Sequence, residues 1–80
     1  MEKDEIFVRL RNIIADVVKN PGLQLTDDMS AHDVDGWDSI SNMTIISGIE
    51  STFGIHLKMR DIVHMKNIGD MCSMIQKRIA

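Results

Sequence analysis

Asp33-Val34-Asp35-Gly36-Trp37-Asp38-Ser39-Ile40 is the stretch on which the reading of this chain turns, because there an acidic loop runs into the most apolar helix of the sequence. Asp38 is a good N-cap residue, and helical periodicity begins just after it, which places Ser39 in the first turn. A hydroxyl in that position is exposed. Free backbone N–H groups and the positive end of the helix dipole favour a negative group attached there, such as a phosphodiester. The ordinary reading is that Asp38 or Ser39 merely caps the helix, and on this stretch alone that reading is preferred.

The helix that follows is predicted over Ser39 to about Phe53, with Gly54 in the C′ position that closes a helix. Ile45, Ile49, Phe53, Ile46 and Met43 fill a wide arc of its wheel, with Ile40 at the edge, so it is read as the central helix. Its other face is small and uncharged: Ser41, Thr44, Ser47, Gly48, Ser51 and Thr52. These are poor helix formers, so tertiary burial is expected to hold this helix together.

Upstream, a first helix is expected from Glu2 or Lys3 to Lys19. Ile6, Leu10, Ile13 and Val17 recur at helical spacing, widened by Phe7, Ile14 and Val18. Asn20 precedes Pro21, which disfavours further helix, and Gly22 completes the stop. Residues 20–38 then form a connection too long for a small domain unless it is pinned or functional. Leu23, Leu25 and Met29 are expected to pin it, Thr26-Asp27-Asp28 to make a turn, and Trp37 to be a partly buried anchor. Downstream, Ile55-His56-Leu57 is a short apolar connector. Met59 to His64 forms one or two helical turns with Ile62 and Val63 facing inward. A last helix runs from about Asn67, its cap, to Arg78, with Ile68, Met71, Cys72, Ile75 and Ile79 as its apolar stripe.

Attached to this organisation is a resemblance. Asp38-Ser39-Ile40, preceded by Gly36-Trp37 and followed by Met43, Ile46, Ile49, Glu50 and Phe53, is similar to the attachment region of acyl carrier proteins. Ile40 stands where that family usually has leucine. The similarity spans nearly the whole chain: helix, long loop, serine, second helix, short segment, last helix. It implies an all-α bundle of three main helices and one short helix in a single domain, residues 1–80, with a long first loop. It implies Ser39 as the attachment point of 4′-phosphopantetheine derived from coenzyme A, Asp38 as its capping and recognition neighbour, and Ile40 as the first groove residue. The thiol of that arm holds an acyl group as a thioester. In the family the second and third helices line a groove for arm and acyl chain, which makes Ile40, Met43, Met59 and Ile62 the groove residues here. Methionine adapts its shape readily to a variable guest, yet each one taken singly is better read as core filling.

The family also supplies partners: a phosphopantetheinyl transferase and an acyl-loading ligase or synthase. In the best-known carriers the second helix is strongly acidic, whereas this chain keeps only Glu50 there. Partners are therefore expected to read Asp33, Asp35 and Glu50 by charge, and the Ser47 face by close steric contact. A specialised fatty-acid, polyketide or related pathway fits that better than a housekeeping synthase.

The resemblance also leads to the expectation of a monomer, while charge and composition bound the partners. The net charge is −3, with nine acids against four bases in residues 1–38 and three against five in residues 39–80. Five aspartates between Asp27 and Asp38 repel nucleic acid and attract a basic protein surface; a solvated loop without partner has the same composition. One cysteine excludes an internal disulfide and fits a reducing compartment. Met1 to Glu5 is no signal peptide, and no apolar run approaches membrane-spanning length, so a cytoplasmic protein is expected. Reading Asp33 to Asp38 as a calcium loop fails, since with Gly36 at the sixth position the first and twelfth fall on Ala31 and Asn42. His32, His56, His64 and Cys72 follow no metal-ligand spacing. A pairing of Ser39 with a histidine stays open in sequence terms, but 80 residues leave little room for a substrate pocket, and the chain is read as a carrier rather than an enzyme. The alternatives are a peptidyl or aminoacyl carrier, which more often shows Gly-Gly-His-Ser, and an unmodified helical interaction module.

Overall fold

The computed structural model describes residues 1–79, and among them the chain forms four α-helices. These are α1 (Lys3–Val18), α2 (Ser39–Phe53), α3 (Met59–His64) and α4 (Ile68–Ile79); a single 3-10 turn, Ala31–Asp33, interrupts the long first connection. The all-α architecture and the order of elements are those expected.

The core is aliphatic because the chain has almost nothing else to bury. Ile6, Leu10 and Ile14 of α1 meet Ile45 and Ile49 of α2 and Ile68, Cys72 and Ile75 of α4, all eight fully buried. Helix α1 packs on both α2 and α4. That arrangement rotates its buried line from the expected one: Ile6, Leu10, Ile14 and Ala15 are inside, whereas Ile13 and Val17 are only partly covered. Burial raises the Cys72 thiol above its usual pKa, with the charge of Asp27 adding to the effect, and this keeps it an unreactive core residue.

Helix α1 ends differently from expectation. Lys19 itself takes the left-handed conformation (φ 59°) and caps the helix through Ala15 O, which also accepts the Asn20 N–H at 2.9 Å. The helix is therefore already closed before Pro21 and Gly22 are reached. At the far end of α2, Gly54 takes the same conformation (φ 64°), as its position in the sequence predicts.

The long connection is pinned, and more tightly than its apolar residues indicate. Leu23 and Val34 are buried, while Leu25, Met29 and Trp37 are partly so. Arg11 Nε donates to Leu23 O at 2.9 Å, and its guanidinium also reaches Pro21 O. At the other side Ile68 N–H donates to Met29 O (2.9 Å) and Gly69 N–H to Asp27 O (2.8 Å), so the first turn of α4 holds the loop by its otherwise unpaired amides. Asn67 caps that turn, its Oδ1 accepting the Asp70 N–H at 2.7 Å.

Candidate functional site

The junction between loop and α2 is built by a reciprocal cap. Asp38 Oδ1 accepts the N–H groups of Ile40 (3.0 Å) and Ser41 (2.9 Å), while Ser41 Oγ accepts the Asp38 N–H at 2.7 Å and donates to Gly36 O at 2.8 Å. Bonds from the Ser41 N–H first, then its hydroxyl, hold the Asp38 carboxyl below the usual carboxylate range. One expectation is corrected here. Of the amides at the start of α2, those of Ile40 and Ser41 do not await an incoming anion, because the Asp38 carboxylate already occupies them.

Gly36 makes the approach to this cap possible. Its φ is +90°, a conformation that side chains resist, and a Cβ there would press on Val18 of α1 at 3.3 Å. Beyond it Trp37 turns back to the protein, its Nε1 donating to Asn42 Oδ1 at 2.9 Å, one turn into α2. The capping bonds engage Ser41 and Asp38 and leave the hydroxyl of Ser39 out. Ser39 is exposed and lines an open depression with Ala31, His32, Trp37, Asp38 and Asn42. An unengaged primary hydroxyl at a capped helix start, open to solvent on one side, can act as the nucleophile that accepts a phosphoryl group.

A second feature lies behind Trp37. A cleft of about 80 Å³ runs between α2 and the α3–α4 segment, with Trp37, Asn42 and Ile46 on one side and Ile62, Met65, Ile68 and Met71 on the other.

The comparisons with known proteins bear on what this arrangement serves. The family pattern described as "Phosphopantetheine attachment site" matches residues 8–75. Acyl carrier protein of Thermotoga maritima is 27% identical over 77 residues, covering 96% of this chain and 95% of the relative. That of Exiguobacterium sibiricum is 28% identical over 79 residues, 99% of this chain and all of the relative. The solution structure of holo acyl carrier protein from Geobacter metallireducens superposes with a TM-score of 0.86 at 30% identity, covering 92% of this chain and 85% of that one.

The chain belongs to the acyl carrier protein family, whose members are modified with phosphopantetheine.

Within this carrier the residues singled out by sequence fall into three groups. Ser39 and Asp38 line one depression at the start of α2, Asp33 and Asp35 lie in the loop that leads to it, and all four are exposed. Of the four groove residues only Ile62 lines the cleft. Ile40, Met43 and Met59 are 78%, 73% and 74% exposed, so the core-filling reading of the two methionines is overturned. Ile40 lines a separate open depression with Asp16, Val17 and Thr44, while Met43 and Met59 are exposed on α2 and α3. Val63 was expected to face inward and is exposed as well. What α3 buries instead is Asp61, which caps the helix by accepting the Lys58 N–H (3.0 Å) and pairs with Arg78 of α4 (2.5 Å). The Arg78 guanidinium and then the Lys58 amide hold this carboxyl down at about 2.

Ser47 is exposed on α2, whereas Glu50 is turned toward the α2–α3 connection. Its Oε2 accepts the Leu57 N–H at 2.8 Å and lies 3.3 Å from His56 Nδ1. Sequence reasoning missed Asp61, Arg78 and Arg11 as structural ties. An aspartate three residues after Lys58 carries the ordinary signal of a helix cap, but nothing local announces that Arg78 will complete it.

Proposed function

We propose that Ser39 is the residue that carries 4′-phosphopantetheine, and that this single domain presents acyl thioesters to the enzymes of a specialised fatty-acid, polyketide or related pathway in the cytoplasm. The observation that carries the assignment is the free, exposed hydroxyl of Ser39 at the first position of α2, beside a helix start fixed by Asp38. The arm supplies the thiol on which an acyl group is held as a thioester. The chain supplies position: the Asp38–Ser41 cap and the Trp37–Asn42 bond fix the attachment point relative to the cleft.

The cleft behind Trp37 is the proposed site for part of the acyl chain, with Ile62 as the wall residue foreseen from the sequence. Its 80 Å³ is well below the roughly 150 Å³ that holds benzene in an engineered apolar cavity. Anything longer than a short acyl tip therefore needs α3 to move outward. The exposed apolar side chains of Ile40, Met43 and Met59 are proposed to contact the arm or a partner enzyme where the thioester emerges.

Partner choice follows from charge. Helix α2 presents Ser47 and Thr44 rather than acids, and Glu50 is half-buried and bonded to Leu57, so the exposed loop acids, Asp35 and Asp33 (the latter also accepting the Ser30 N–H), are the negative contacts for a phosphopantetheinyl transferase or a loading ligase. A partner matched to a strongly acidic second helix finds no counterpart here, which supports a dedicated pathway. Peptide mapping after incubation with coenzyme A and a transferase tests the assignment. The phosphopantetheine mass is expected on the peptide holding Ser39, and its appearance on a different serine would overturn the proposal.

A further inference from the structure

The depression beside Ser39 contains a basic group that neither the fold nor the attachment chemistry requires. His32 lines it together with Ser39, Asp38, Trp37 and Asn42. Resting on the assignment of the arm to Ser39, we propose that His32 is the cationic contact for the phosphodiester that would join Ser39 to the arm.

The need for such a contact arises from the cap. A phosphodiester at Ser39 Oγ brings a negative charge to a helix end whose Ile40 and Ser41 amides are already bound to the Asp38 carboxylate. The helix start therefore offers it less than the dipole alone suggests, and Asp38 repels it. Of the residues lining the depression, His32 is the one with a basic side chain. The other hydrogen-bonding donor of an indole or amide there is partly used, since Trp37 Nε1 is given to Asn42 Oδ1.

His32 is held at the right place and is free to respond. It sits in the middle of the 3-10 turn Ala31–Asp33, which is closed by Asp33 Oδ2 accepting the Ser30 N–H at 2.9 Å. Its own side chain is exposed and has no structural duty that would fix the ring. The charged groups around it are Asp33 and Asp35 of the same loop, Asp38 at the start of α2, and Lys66, which lies across Ala31, Trp37 and Asn42 in the adjoining cleft. In its protonated form the imidazole attracts the phosphodiester.

Phosphorus-31 NMR of the holo protein between pH 5 and 8 tests this contact without recourse to activity. A phosphodiester does not itself titrate in that range, so its resonance moves only if a neighbouring group does. The wild-type resonance is expected to shift with pH in step with the His32 ring protons. His32→Ala and His32→Gln should lose that dependence, while His56→Ala keeps it. A flat wild-type resonance, or an unchanged pH dependence in His32→Ala, would overturn the proposal. The mass of each sample is read first: a chain that takes up no arm refutes the assignment of Ser39, and the contact with it, whereas a loaded chain with a flat resonance refutes the contact alone.

Discussion

Gly48 of α2 approaches Ile13 of α1 so closely that a Cβ on it would stand 2.9 Å from Ile13 Cγ2. Glycine in mid-helix costs roughly 1 kcal/mol relative to alanine. Here it is what lets α2, the helix that carries Ser39, lie against α1. Ile13 is β-branched and has one strongly preferred rotamer in a helix, so it cannot swing aside cheaply.

Gly48→Ala is therefore expected to destabilise the fold despite its better helix propensity. Overpacking of this kind costs about 1–3 kcal/mol, and the propensity gain offsets roughly 1. Chemical denaturation should show a net loss near 1 kcal/mol, recovered in part by adding Ile13→Ala, which removes Cγ2, and not by Ile13→Val, which keeps it. A more stable Gly48→Ala variant would show that the two helices have slack between them.

The Asp61–Arg78 pair makes a prediction about acid. With the folded carboxyl held at about 2, against an ordinary value of 3.8, the pair contributes stability that is fully present above the ordinary value. That contribution is lost as pH falls from about 3.8 toward 2. Thermal melts between pH 6 and pH 2 should show Asp61→Asn well below wild type at the upper end, with the gap closing at the lower end. A gap that is constant with pH would mean that the charge of Asp61 is not what Arg78 holds.

Loading should be visible from Trp37, the only tryptophan of the chain and a wall of the cleft. As the acyl group on the holo protein is lengthened, Trp37 emission is expected to change once the chain enters the space between Ile46 and Ile62. Ile62→Ala enlarges that space at a cost of about 1–2 kcal/mol, below the 2–5 of a fully buried isoleucine because Ile62 is only partly covered. It should let a longer acyl chain be accommodated and protected from thioester hydrolysis. Identical emission and hydrolysis rates across chain lengths would place the acyl group outside the cleft.

Much of this was legible in the sequence, and the reasons for the rest are physical. Helix spans were readable because apolar residues recur at 3.6-residue spacing and because Asp38, Asn67 and Gly54 carry their capping roles locally. The fate of Met43, Met59 and Val63 was not readable. Periodicity marks an apolar residue as able to be buried, and only the number of neighbouring helices decides whether it is. Helix α2 packs on α1, and the core so formed covers Ile45 and Ile49 fully and Ile46 in part but stops short of Met43. Long-range pairings such as Asp61 with Arg78, 17 residues apart, leave no local trace. His32 beside Ser39 was hidden for the same reason: they stand seven positions apart across the end of the loop, and the turn at Ala31–Asp33 brings them to one depression.

The central claim is that Ser39 carries the arm, and intact mass tests it most directly. Wild type and Ser39→Ala are incubated side by side with coenzyme A and a broad-specificity phosphopantetheinyl transferase, with circular dichroism confirming that both are helical. The account predicts a gain of one phosphopantetheine in the wild type and none in the variant. An unmodified wild type with several transferases, or equal modification of Ser39→Ala, would contradict it.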